Sequence, residues 1–218
     1  MSIRVLIADD HAVVRQGLRS LLEQEPGITV VGEVADGRSA VRLSTELAPD
    51  VVIMDITMPD LNGIEATHQI KASSPDTKIV ALSIHSDRRM VARMLSAGAS
   101  AYLTKDSPFE ELTRAVRTVI GNQTYLSPQI ADTVTKEYVR NLLREDESSP
   151  APDLSDRERE VLQLLAEGHS TKQTASQLHV SEKTIETHRR QIMRKLNLHS
   201  LAELTKFAIR EGLTSLDA

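Results

Sequence analysis

The chain has 218 residues, a formal net charge of -5, 40% apolar and 26% charged residues, and only 2% aromatics. That length exceeds one ordinary domain, so two units with aliphatic cores are expected, and recognition by stacking on bases is disfavoured. The absence of cysteine removes disulfides, thiolate nucleophiles and cysteine-ligated metal centres. No apolar run approaches the roughly 18 residues of a membrane span, and the expected location is cytoplasmic, with no membrane partner.

Short β-branched runs recur at 3–8, 28–31, 51–54, 79–82 and 101–103, separated by segments long enough for crossover helices. This pattern predicts an open α/β unit with a five-stranded parallel sheet covered on both faces. In such a sheet ligands bind beyond the carboxyl ends of the strands. The polar residues found there are Asp9 and Asp10 after the first run, Asp55 after the third, Ser83 after the fourth and Lys105 after the fifth.

Singly, each has a plain explanation as a helix cap, a turn former or a solvated charge. Jointly they do not, because three carboxylates at one edge repel one another unless a cation is present. A hard divalent ion, preferably magnesium, would neutralise Asp10 and Asp55 and bridge to a phosphoryl oxygen. Lys105 adds a second positive charge and Ser83 a hydrogen-bond donor, so the set suits phosphoryl transfer onto a carboxylate nucleophile.

Asp9-Asp10, Asp55 with Met58-Pro59, Asn62-Gly63, Ser83, Gly98-Ala99, Tyr102 and Lys105 resemble the receiver domains of two-component response regulators, which are flavodoxin/CheY-like, over about 120 residues. The resemblance implies that Asp55 is the phosphoacceptor, with Lys105 and Ser83 assisting. It also implies magnesium on Asp10, on Asp9 largely through water, on Asp55 and on the carbonyl of Thr57, and a switch formed by Ser83 and Tyr102. Where many receivers carry a proline after the lysine, Asp106 stands here, so the Lys105–Asp106 bond is either trans or strained. His11 is expected in the first turn of a helix. A phosphatase that phosphorylates an aspartate would need a second acid at position 57, which is Thr; the chain is therefore not expected to be an enzyme in the ordinary sense, although slow self-dephosphorylation is.

The first domain is expected to span 1–125. Residues 126–153 read as a linker: Ser127-Pro128 open a helix with Ile130, Val134, Tyr138 and Leu142 on one stripe, and 145–152 are polar and broken by proline. In 154–218, Ser155 with Glu158, Ser170 with Gln173, and Ser200 with Glu203 have capping-box spacing, and Ser181 can cap a fourth helix. Residues 172–195 hold six basic and two acidic residues. At 100° per residue, Ile185, Ile192 and Leu196 form a core face opposite Lys183, Thr187, Arg190 and Arg194.

With Arg157-Glu158-Arg159-Glu160-Val161-Leu162, Gly168, Lys172, Ala175, Leu178, Lys183-Thr184, His188 and Lys195-Leu196, this segment resembles the all-α, four-helix LuxR-type helix-turn-helix domain of the NarL/FixJ regulators. The resemblance implies double-stranded promoter DNA as partner. Candidate contacts are Lys183, Thr187 and Arg190 in the groove, Arg189, Arg194 or Lys195 at phosphates, and Thr184 and His188 beside them. His188 lies at the edge of the core face, Glu186 adjoins the groove stripe, and Thr174 stands where the family has an aliphatic residue. The two resemblances together imply a DNA-binding transcriptional response regulator in a phosphorelay, fed by a sensor histidine kinase. A homodimer when phosphorylated, paired through the last helix, and RNA polymerase as a possible further partner also follow.

Overall fold

The structure, a computed structural model, describes residues 2–84, 86–142 and 154–214. The chain divides into two compact units, and the expected linker segment 145–152 lies outside the described residues.

The first unit runs β1(Ile3–Ala8), α1(Ala12–Leu22), β2(Ile28–Val34), α2(Gly37–Leu47), β3(Val51–Asp55), α3(Gly63–Ser73), β4(Lys78–Ser83), α4(Arg88–Ser96), β5(Ala101–Thr104), α5(Phe109–Ile120), β6(Tyr125–Leu126) and α6(Pro128–Leu142). The strands lie in the order β2-β1-β3-β4-β5-β6, all parallel. Val5, Ile7, Val51, Ile53, Val80, Leu82, Ala101 and Leu103 face α1 and α5 in one apolar cluster. Their alternates Leu6, Ala8, Val52, Met54, Ile79, Ala81 and Tyr102 are fully buried, on the side covered by α2, α3 and α4. Burial on both faces is why the strands read as continuous apolar runs.

The sheet has six strands, one more than expected. β6 is two residues long and extends the edge through Tyr125 N to Ser100 O at 3.1 Å and Ser127 N to Tyr102 O at 3.1 Å. A strand that short carries no alternation for a sequence pattern to register. Beyond it, α6 packs on α4 and β5 with Ile130 fully buried, so its apolar stripe begins inside this unit. The side chains of Tyr138 and Leu142 lie outside the described set.

The second unit comprises α7(Asp156–Ala166), α8(Thr171–Gln177), α9(Glu182–Leu196) and α10(Leu201–Arg210) around an aliphatic core of Val161, Leu162, Leu164, Leu165, Ile185, Ile192 and Leu204. Ser155 with Glu158 and Ser170 with Gln173 form complete capping boxes. The third expected box is only half made. Ser200 accepts from the Glu203 N–H, but the Glu203 carboxylate takes the N–H of His199 instead, at 2.7 Å. Between α8 and α9, His179 adopts φ +54, and Asn197 at φ +51 ends α9 in the left-handed region that asparagine tolerates. Leu204 and Ala208 of α10 are buried within the unit, whereas Leu201 is exposed.

Thr174 is fully buried, and its hydroxyl has no hydrogen-bond partner. A buried orphan hydroxyl costs about 1–3 kcal/mol. Thr174→Val is therefore expected to stabilise the second unit by about 1 kcal/mol, read as a higher denaturation midpoint. A lower midpoint would mean the hydroxyl is satisfied.

Candidate functional site

The order β2-β1-β3 places the carboxyl ends of β1 and β3 side by side at the point where strand order reverses, and chain leaving them diverges to open a crevice. Asp9 and Asp10 follow β1, and Asp55 is the last residue of β3. Asp9 and Asp55 are 2% and 3% exposed, while Asp10 is exposed. Lys105, from the end of β5, reaches across with its Nζ 2.7 Å from Asp9 Oδ2 and 2.7 Å from Asp55 Oδ2.

The backbone supplies further anchors. Asp9 Oδ1 accepts from the His11 N–H at 2.9 Å, and the Asp9 carbonyl accepts from Arg15 at 2.6 Å. Asp55 Oδ1 accepts from the Thr57 N–H at 3.3 Å. His11 sits at the N-cap of α1, one residue before its first turn, with Nδ1 2.7 Å from Asp10. Donor atoms of Asp9, Asp10, His11 and Asp55 all lie within 4.8 Å of one another, so this acidic cluster could hold a metal ion. Its carboxylate oxygens are the donors that a hard divalent cation takes.

Burial pushes the Asp55 carboxyl up to about 6; the Lys105 ammonium opposes this and the Asp9 and Asp10 charges add to it. For Lys105, burial lowers the pKa, but Asp55 and Asp9 together outweigh it and hold the ammonium above its ordinary range. Two buried acids with one cation leave an excess of negative charge, which a further cation would neutralise.

Ser83 and Tyr102, expected as a pair, share a hydrogen bond. Both are buried. Burial raises the Tyr102 phenol above its ordinary range, so it stays a neutral hydroxyl. The Lys105–Asp106 bond is trans.

Gly63 carries a role that the Asn62-Gly63 motif named without explaining. A Cβ there would stand 2.0 Å from the Asp55 carbonyl oxygen, so only glycine lets α3 begin against the backbone of β3. Asn62, fully buried, caps that helix through the N–H groups of Ile64 and Glu65.

In the second unit, α9 presents Lys183, Glu186, Thr187, Arg190 and Arg194 exposed, with Ile185 and Ile192 buried, as the 100° spacing predicts. Thr184, His188 and Arg189 are partly buried, and the His188 Nδ1 is buried without a partner, in keeping with the edge of the core face. Lys195 is held 2.7 Å from Glu158, a contact absent from the sequence expectations.

Because the folded Asp55 carboxyl titrates above its ordinary 3.8, the stability tied to its protonated form is complete below about pH 4 and is lost as pH rises through about 6. Asparagine cannot ionise. In chelator at about pH 7.5, Asp55→Asn should stabilise the first unit by about 2 kcal/mol, with the gap closing toward about pH 4. Calorimetry across that range checks this, and equal midpoints at the upper end would refute the burial penalty on ionised Asp55.

Comparison with known proteins agrees with this arrangement. The response regulator receiver domain family matches residues 5–117, and the luxR family of bacterial regulatory proteins matches residues 152–208. The chain is 38% identical to the response regulator UvrY of Escherichia coli over 215 residues, covering 99% of this chain and 97% of that one. It is 41% identical to the oxygen regulatory protein NreC of Staphylococcus carnosus over 214 residues, 97% of this chain and 99% of that one. Among solved structures, RcsB of Salmonella enterica serovar Typhimurium, bound to promoter rprA with the phosphomimetic BeF3-, superposes with a TM-score of 0.63 at 26% identity, over 95% of this chain and 98% of that one. Members of this family are regulators and not enzymes in the ordinary sense, and no helix among the described residues is long and apolar enough to cross a membrane. The chain belongs to the NarL/FixJ family of DNA-binding two-component response regulators, with a receiver domain followed by a LuxR-type helix-turn-helix domain.

Proposed function

We propose that Asp55 accepts a phosphoryl group in a magnesium-dependent reaction, and that its phosphorylation governs promoter binding by α9. The observation that carries this reading is the placement of Lys105 Nζ at 2.7 Å from both Asp9 and Asp55. That cation, fixed between two buried acids, is ready to follow the charge onto a phosphoryl oxygen.

Asp9, Asp10, Asp55 and the Thr57 carbonyl would hold magnesium. When bound, the ion supplies the positive charge that offsets the acid cluster and the phosphoryl oxygens. An Asp55 oxygen attacks phosphorus, the phosphorus–nitrogen bond of a phosphohistidine donor breaks, and its electron pair stays on the imidazole of the partner kinase. Lys105 and the Ser83 hydroxyl then bind phosphoryl oxygens. Ser83 must leave its Tyr102 partner or share its hydrogen bond, and that exchange connects phosphate to the buried switch residue. No general acid follows Asp55, which suits a phosphate that is held rather than turned over.

On the DNA side, Lys183, Thr187 and Arg190 face the major groove, and Arg194 with Arg189 faces phosphates. Thr184 and His188 lie beside them. Glu186 shares the exposed stripe and suits acceptance from a cytosine amino group. A homodimer of the phosphorylated form on related half-sites, in the cytoplasm, completes the reading.

With acetyl phosphate and magnesium, the wild-type chain should take up phosphate while Asp55→Asn or added chelator abolishes uptake. Incorporation by Asp55→Asn at the wild-type level would assign another acceptor. Arg190→Ala should cost about 1–3 kcal/mol of operator binding, unequally across sequences, whereas Arg194→Ala should weaken all duplexes alike and lower the salt slope by about 1. Unchanged binding across a salt series would remove either residue from the interface.

A further inference from the structure

Two polar ties run from the first turn of α7 to the helix-turn-helix. Glu158, third residue of that turn, is 4% exposed, and its Oε2 lies 2.7 Å from Lys195 Nζ in the last turn of α9. The same oxygen accepts from the Ser155 N–H at 2.8 Å and lies 3.2 Å from the Ser155 hydroxyl. Burial pushes this carboxyl up, but Lys195 and Ser155 together hold it below its ordinary range. Its neighbour Arg157 donates to the carbonyl of Leu178, at the C-cap of α8, at 2.6 Å, and to Glu160 at 2.9 Å.

The apolar core beneath α9, chiefly Ile185 and Ile192, attracts without direction, so it permits rotation and sliding of the helix more readily than charged hydrogen bonds do. Groove readout requires angular placement within about 10–20°. Lys195 lies about 120° around the helix from Lys183, between the exposed stripe and the core face. It thus points away from where Lys183, Arg190 and Arg194 point, and toward a nearly buried acid.

We propose that Glu158 is a positioning residue for DNA recognition: its ion pair with Lys195 fixes the rotation of α9, and Lys195 serves this pair instead of a DNA phosphate. The proposal rests on α9 being the groove helix.

Glu158→Gln isolates the effect, because glutamine preserves the capping box while removing the charge that holds Lys195. The sign is diagnostic. Loss of an acid that acted only through its charge would tighten binding to anionic DNA, whereas loss of a positioning residue weakens specific binding. Full-length variants would be titrated against a duplex selected from a random library by the wild-type chain, and against a random-sequence duplex, over a salt series.

Glu158→Gln and Lys195→Gln should each bind the selected duplex about 10-fold more weakly, with binding to the random duplex by Glu158→Gln undiminished. The double variant should be no worse than the weaker single, since both remove one coupled pair. Lys195→Gln should keep the wild-type salt slope. The proposal is overturned if that slope falls by about 0.9 while Glu158→Gln binds as well as or better than wild type, which would make Lys195 a phosphate contact. It is equally overturned if both duplexes are lost in proportion to helix content measured by circular dichroism at the assay temperature. Arg190→Ala in the same titration reports on the groove assignment separately, so failure of that reading is distinguishable.

Discussion

Two carboxylates buried against one ammonium form the constraint on which the receiver domain is organised. Asp9 and Asp55 stand 2% and 3% exposed, with Lys105 between them. Such a cluster costs stability unless its geometry is fixed from several sides. Three strand ends supply that geometry: adjacency of β1 and β3 sets the acids apart by one strand spacing, and β5 delivers the lysine from two strands away. Gly63 and the Asn62 cap then let α3 begin directly against β3. Burial, with the Asp9 and Asp10 charges adding to it, raises the Asp55 carboxyl in spite of Lys105.

Much of this was legible in the sequence because its signals are strong and local. Apolar runs ending in Asp9, Asp55, Ser83 and Lys105 give the parallel sheet and its active edge together. The α9 stripe follows from 3.6-residue periodicity, and buried Ile185 and Ile192 confirm its phase. The illegible parts depend on tertiary contact. β6 is too short to alternate. Glu203 has capping-box spacing, yet its carboxylate finds the His199 N–H instead, a choice between two nearby donors that spacing does not decide. The Glu158–Lys195 pair joins residues 37 apart in sequence, and both already had local readings, as a cap and as a phosphate contact.

The DNA-binding domain solves a related problem with different means. A small aliphatic core provides cohesion, while Glu158 and Arg157 add direction by holding the last turn of α9 and the C-cap of α8. Leu204 and Ala208 of α10 are buried inside the unit, while Leu201 and Ala202 at its start are exposed.

Phosphate at Asp55 is proposed to change what α9 does. The most direct measurement is the affinity of the full-length chain for a selected operator duplex, with and without acetyl phosphate and magnesium, with mass recorded in the same samples. Binding should tighten and mass should shift toward dimer only when both reagents are present, with neither change in Asp55→Asn. Identical affinity and mass in all conditions, in a chain that demonstrably carries phosphate, would leave the DNA-binding activity intact and contradict the switch.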